Sequence, residues 1–267
     1  MEINATDLGG GQRFAFTQGN FDLICSDLDS FSVARAVTAS SAVPVAFPPI
    51  VLTNHAGTCD TGQSNRIRNI ESRGSLTERQ TELRQRVNAY ADRQVRPYIH
   101  LVDGGIADNL GLRALIDRID AAGPDLFLQN LSRIPKDVLI VVVNAEVNPE
   151  SSIEQSAAKP SVLDTVDAFS NAQIALYNQE TQLLIGQKLQ EMERGMRSRG
   201  HEVKFYLAEV SFESLEEKSA KSFFNNLPTS LELSDSDVDV LIRAGRDLLR
   251  KSPDYRAFLT AANSMAK

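Results

Sequence analysis

Apolar residues recur along the chain in two rhythms. Ile3 to Ala5, Arg13 to Thr17 and Phe21 to Cys25 are short runs separated by Gly-rich or Asn/Asp turns, and they predict strands. Ser32 to Ser41 is a run of small residues that predicts a helix lying close against a sheet, ended by Pro44. Tyr98 to Val102 is strand-like and stops abruptly at Asp103, Gly104 and Gly105. Leu112, Leu115, Ile116 and Ile119 then recur at helical spacing. Val138 to Asn144 is continuously β-branched and apolar, the pattern of a parallel strand buried on both faces. Leu163 to Arg199 predicts a long helix with Ile185, Leu189, Met192 and Met196 on its core face, stopped by Gly200. Lys204 to Ser211 predicts another strand. Ser234 reads as the N-cap of an amphipathic helix carrying Val238, Leu241, Ala244 and Leu248, ended by Ser252-Pro253; a last short helix carries Phe258 and Leu259. Strands alternating with helices predict one α/β domain, with helices covering a mixed, largely parallel sheet.

Two stretches depart from this pattern. Val43 to Ile50 is apolar and stiffened by Pro44, Pro48 and Pro49, so it is excluded from a central strand. It suits either the wall of a hydrophobic pocket or a packed connector. Residues 62–96 carry Arg66, Arg68, Arg73, Arg79, Arg84, Arg86, Arg93 and Arg96 against four acids. A helix is expected there from about Leu76, with Ser75 and Glu78 as a capping box and a thin stripe of Leu83, Val87 and Tyr90. Such a segment reads either as a lid or contact for an anionic lipid surface, or as a solvated helix crossing between core elements.

Composition narrows the function classes. The chain has 267 residues, 42% apolar and 24% charged, an ordinary globular balance. Its net charge of −7 argues against nucleic acid as a main partner, because phosphate backbones reward basic surfaces. Cys25 and Cys59 form no metal-binding spacing and no disulfide framework; a single bridge stays open. No run approaches the roughly 20 apolar residues of a membrane span, and the first thirty residues contain no signal-peptide core. Localisation is left open.

The candidate chemistry centres on Asp103. It sits at the carboxyl end of a strand, where ligands gather in α/β proteins. Gly104 and Gly105 permit positive φ and close backbone approach beside its carboxylate. An isolated Asp-Gly-Gly is more often a plain turn, so other residues have to support the role. A serine hydrolase needs an exposed nucleophile, yet the G-x-S-x-G elbow is absent; the nearest approaches, at Ser64 and Ser75, lack the second glycine and the preceding strand. A Ser-His-Asp triad is also poorly supported. His55 and His201 read as surface groups, and strand alternation puts His100 on the face opposite Asp103. Asp103, Asp108 and Asn109 do not make a calcium loop, and no metal site or cofactor is expected.

Three segments nevertheless share a resemblance. Asn4-Ala5-Thr6-Asp7-Leu8, then Ala39-Ser40-Ser41-Ala42-Val43-Pro44-Val45-Ala46-Phe47-Pro48-Pro49, then Val102-Asp103-Gly104-Gly105 with Asn109, together resemble patatin-like phospholipases. Leu227-Pro228-Thr229-Ser230-Leu231-Glu232-Leu233 and the helix after it are similar to bacterial members. The resemblance implies a three-layer α/β/α patatin-like fold over residues 1–267, interrupted by the polar insertion at 62–96. It implies a lipid acyl hydrolase acting on a lipid ester or phospholipid through a Ser–Asp dyad, in which Asp103 of the Asp103-Gly104-Gly105 motif accepts the proton of the serine. In that family the serine elbow and the glycine-rich oxyanion loop precede the segment matched by Asn4 to Leu8. The resemblance therefore implies that this chain is the C-terminal part of a longer enzyme, needs a preceding segment and is inactive by itself. The alternative expectation is a non-catalytic lipid- or protein-binding relative that keeps the scaffold.

Overall fold

The structure is a computed structural model that describes residues 2–59, 76–129, 134–147, 153–228, 230 and 232–265. The fold is mixed α/β. Contacts divide the chain into one compact unit of Met1–Asn130 with Leu163–Ile185, and a second of Leu131–Val162 with Gly186–Lys267.

The first unit is built on four strands, β1 (Asn4–Asp7), β2 (Gln12–Ala15), β3 (Ile50–Thr53) and β4 (Tyr98–Val102). They stand in the order β2-β1-β4-β3, and every pairing is antiparallel. This corrects the expectation of a mostly parallel sheet: among the described residues the parallel pairing lies in a separate sheet. The apolar runs set how deeply each strand is buried, which is a property of side chains. Strand direction is a property of the connections, and periodicity is silent about it.

Pairing puts Phe14, Ala5, Asp7, Leu101, Ile99 and Leu52 on one face. Phe16, Phe21, Ile24, Ala36, Ala39 and Tyr90 complete that core. Phe21 and Ile24 reach it from α1 (Gln18–Leu23) and the turn after it, so the strand predicted over Phe21 to Cys25 is instead helical. The i, i+3 spacing of Phe21 and Ile24 outweighs the short alternation Phe21-Leu23-Cys25. Asn20 closes the bend by donating to the Ala15 carbonyl at 2.9 Å. Cys25 bridges to Cys59 in a disulfide. Helix α2 (Val33–Ser40) starts at Ser32, whose hydroxyl accepts from the Arg35 amide, and its Ala36 and Ala39 are small enough to lie tight against β1 and β4.

Helix α3 (Glu78–Asn88) begins with a capping box of Thr77 and Gln80, two residues later than the predicted Ser75 and Glu78. Leu83, Val87 and Tyr90 are all buried, and Leu83 meets Ala121 of α5 (Leu112–Gln129). Arg79 pairs with Asp117 and Asp120 of α5. The described part of the Arg-rich segment is thus a packed helix. Arg66, Arg68 and Arg73 lie outside the described residues. Between β4 and α5 stands a single turn, α4 (Gly105–Asp108).

The long helix α6 (Val162–Arg197) passes from the first unit into the second. Ile185, Leu189, Met192 and Met196 are all buried on it, and Gly200 takes φ +80° just beyond its end. The second unit holds β5 (Asp137–Asn144) and β6 (Lys204–Ser211), paired parallel over their whole length. Beyond β6 come a 3-10 turn (Phe212–Ser214), α7 (Lys218–Asn225), α8 (Asp235–Lys251) and α9 (Pro253–Met265). Helices α8 and α9 pack on the strand pair. Val141 and Val143 remain exposed, so β5 is parallel as expected but is not buried on both faces.

Candidate active site

Strand β4 ends at Val102, which is fully buried, and delivers Asp103 to a junction of three chain segments. The Asp103 amide donates to the Ala42 carbonyl at 2.9 Å, and the Gly104 amide donates to Ser40 O at 3.0 Å. Ser40 is the last residue of α2, whose final carbonyls have no helical partner of their own, and Ala42 lies two residues beyond it. From β1, the Thr6 hydroxyl donates to the Asp103 carbonyl at 2.7 Å and accepts from the Ala107 amide at 3.1 Å. One buried hydroxyl thereby ties the end of β4 to the start of α4. The segments Asn4–Leu8, Ala39–Pro49 and Val102–Gly105, far apart in sequence, meet at this turn.

The two glycines are required for closeness, not for a left-handed backbone. Gly104 has φ −68°, and a Cβ there would lie 2.5 Å from the Asn4 carbonyl oxygen. A Cβ at Gly105 would lie 2.9 Å from Asp103 Oδ1 and 3.0 Å from Asn109 Oδ1. Positive φ is found instead at Gly111, between α4 and α5.

The Asp103 carboxylate is partly buried and accepts from the Gly105 amide at 2.7 Å. Burial pushes its pKa above the ordinary aspartate value, and the Gly105 N–H opposes part of that rise. Among the described residues no cation pairs with it and no histidine hydrogen-bonds to it. His100 is exposed on β4; the His55 amide is bonded to Ile24 O, and that of His201 to Met196 O. The same residues include no group of three His, Cys, Asp or Glu placed to hold a metal ion.

The neighbouring acids are spent on structure. Asp108 is buried and accepts from the Arg113 and Ala114 amides, each at 2.9 Å, so it caps α5 from across Gly111. Asp7 is buried under Tyr90, whose hydroxyl donates at 2.9 Å, and is paired with Arg96. Burial, then the Asp7 carboxylate, pushes the Tyr90 pKa far up, which keeps that hydroxyl a donor. Sequence reasoning missed the parts of Thr6 and Asp108. An aspartate shortly before a helical run is the one signal that would have marked Asp108 as a cap.

Beside the junction runs the proline-rich loop. Ala42, whose carbonyl holds the Asp103 amide, is followed by Val43, Val45 and Phe47, and all three side chains are exposed. Val45 takes φ +74°, a conformation β-branched residues rarely adopt. The loop presents a rim of apolar side chains open to solvent, so it is not a packed connector. No protein-family model, no curated protein and no solved structure matches this chain.

Proposed function

We propose that Asp103 is the general base of a lipid acyl hydrolase of the patatin-like type, taking the proton of a serine hydroxyl as that oxygen attacks an ester carbonyl. The observation that carries this reading is the convergence at the Asp103 turn of the three segments that bear the resemblance. Thr6, Ser40, Ala42 and Gly104 fix the backbone of that turn, while the carboxylate keeps a free oxygen and has no cationic partner among the described residues. A carboxylate with an ordinary pKa near ~4 is a weak base at neutral pH. Partial burial of Asp103 raises its basicity in the useful direction, and a base so tuned needs no histidine.

The exposed apolar rim of Val43, Val45 and Phe47 supports a substrate with an acyl chain. The sequence holds no G-x-S-x-G, so the serine belongs to a segment outside these residues. The test uses the protein expressed from its complete open reading frame. A fluorophosphonate probe should label one serine, and phosphatidylcholine or a p-nitrophenyl ester should be hydrolysed. Asp103→Asn should lower that hydrolysis by about 10²–10⁴-fold, the usual worth of a positioned acid or base. A protein that binds phospholipid vesicles but labels no serine and cleaves no ester would instead be the non-catalytic lipid-binding relative.

A further inference from the structure

A cavity of about 790 Å3 opens in the second unit, where β5 and β6 begin and α6 ends. Its walls are fixed by backbone. The Lys204 amide donates to the Lys136 carbonyl at 2.8 Å, and the parallel register sets Lys204 level with Asp137. Gly200, at φ +80°, lets the His201 amide turn back to the Met196 carbonyl at 3.0 Å. The volume falls within the range of about 300–1,000 Å3 that small-molecule sites occupy. Such sites are mostly apolar, but seven of the eleven residues lining this one are ionisable.

The charges around the cavity do not neutralise one another. Glu193 and Arg197 stand four residues apart on α6, in the order that favours an ion pair, as Glu82 and Arg86 form one on α3. Glu193 instead accepts from the Phe205 amide of β6 at 2.8 Å. Asp137 lies beside Lys204 across the strand pair, yet it accepts from the Tyr206 hydroxyl at 3.1 Å. The Lys204 ammonium rests 4.8 Å from the centre of the same Tyr206 ring. Both acids are thus held by neutral donors. Lys136 and Arg197 are exposed at the cavity, with no ion pair and no side-chain hydrogen bond among the described residues.

We propose that this cavity binds a small phosphate ester carrying hydroxyl groups, of the size of a sugar phosphate. Arg197 offers a planar fork of N–H donors and Lys136 a compact ammonium, two shapes that suit a phosphoryl group. Asp137 and Glu193 each keep a second oxygen, and a carboxylate oxygen accepts from a ligand hydroxyl. The same acids set the selectivity. With Glu202 they put three carboxylates on the wall, which repel a bare phosphate dianion. A polyol without phosphate leaves Arg197 and Lys136 unpaired. Only a ligand with both parts answers both sets of groups. That chemistry is shared by a soluble sugar phosphate and by the headgroup of a phosphoinositide. The site is independent of Asp103, which belongs to the first unit.

The test titrates the full chain with ribose 5-phosphate, inorganic phosphate and ribose by isothermal calorimetry. Ribose 5-phosphate should saturate one site per chain with a Kd below about 1 mM, and bind about tenfold or more tighter than inorganic phosphate. Ribose should give no heat of binding. Arg197→Gln and Lys136→Gln should each weaken ribose 5-phosphate by about 10–100-fold, the worth of a hydrogen bond to a charged group. Both side chains are exposed, so the unliganded melting temperature should not move. Vesicles of phosphatidylcholine with phosphatidylinositol 4-phosphate separate the two sources. Sedimentation of the chain with them, lost in Arg197→Gln, assigns a lipid headgroup; a chain that binds ribose 5-phosphate but stays in the supernatant assigns a soluble ligand. No saturable binding of ribose 5-phosphate would overturn the proposal. So would equal affinity for inorganic phosphate, or binding indifferent to both substitutions.

Discussion

A carboxylate drawn partly out of water and left without a cation costs stability, and Asp103 is such a group. Its folded pKa lies above the unfolded value, so the native state holds the proton more tightly than the open chain does. Its contribution to stability is therefore greatest below the unfolded carboxylate range, near ~4, and is lost as pH rises through the folded value. Asp103→Asn keeps an oxygen for the Gly105 amide and removes the charge. The variant should melt higher than the natural protein at pH 7, with the difference shrinking on acidification toward about pH 4, as thermal unfolding at the two pH values would reveal. Equal melting curves at pH 7 would mean that the carboxylate is fully hydrated. Gly104 answers to sterics instead. Gly104→Ala drives a methyl into the Asn4 carbonyl, in backbone that cannot rotate away, and should destabilise by about 1–3 kcal/mol in urea titrations.

Among elements, those whose signal is local were legible in the sequence. The core face of α6, the N-cap at Ser234, the stop at Gly200 and the span of β6 all follow from spacing and caps that act within a few residues. Met196 is fully buried, and Met196→Ala should cost about 2–5 kcal/mol by chemical denaturation, the usual range for a cavity of that size. What the sequence hid depends on distant partners. Phe21 to Cys25 alternates like a strand but forms the end of α1 and the turn after it, because Phe21 and Ile24 join the core of Phe14 on β2 and Phe16 just beyond it. The expected sheet was mostly parallel, yet β4 pairs antiparallel with both neighbours. At the site, Asp103 and its two glycines were visible as residue types. The Thr6 hydroxyl, which joins β1 to the Asp103 turn across 97 positions, could not be seen from neighbouring residues.

At the scale of the molecule, the Cys25–Cys59 bridge closes a sequence separation of 34 within the first unit. A cross-link of that span restricts the unfolded chain, so reduction, or Cys25→Ser, should lower stability by about 2–4 kcal/mol. Melting the protein with and without dithiothreitol checks it, and the Asp103 turn lies in the unit that should loosen. The account as a whole rests on that turn being a base. Its most direct measurement is the pH dependence of kcat/KM for ester hydrolysis by the protein from its complete open reading frame, with and without Asp103→Asn. The account predicts an acid limb set by a carboxyl group that titrates above the ordinary aspartate range, and a loss of about 10²–10⁴-fold in the variant at neutral pH. Hydrolysis that proceeds at an unchanged rate and with an unchanged profile in Asp103→Asn would contradict it.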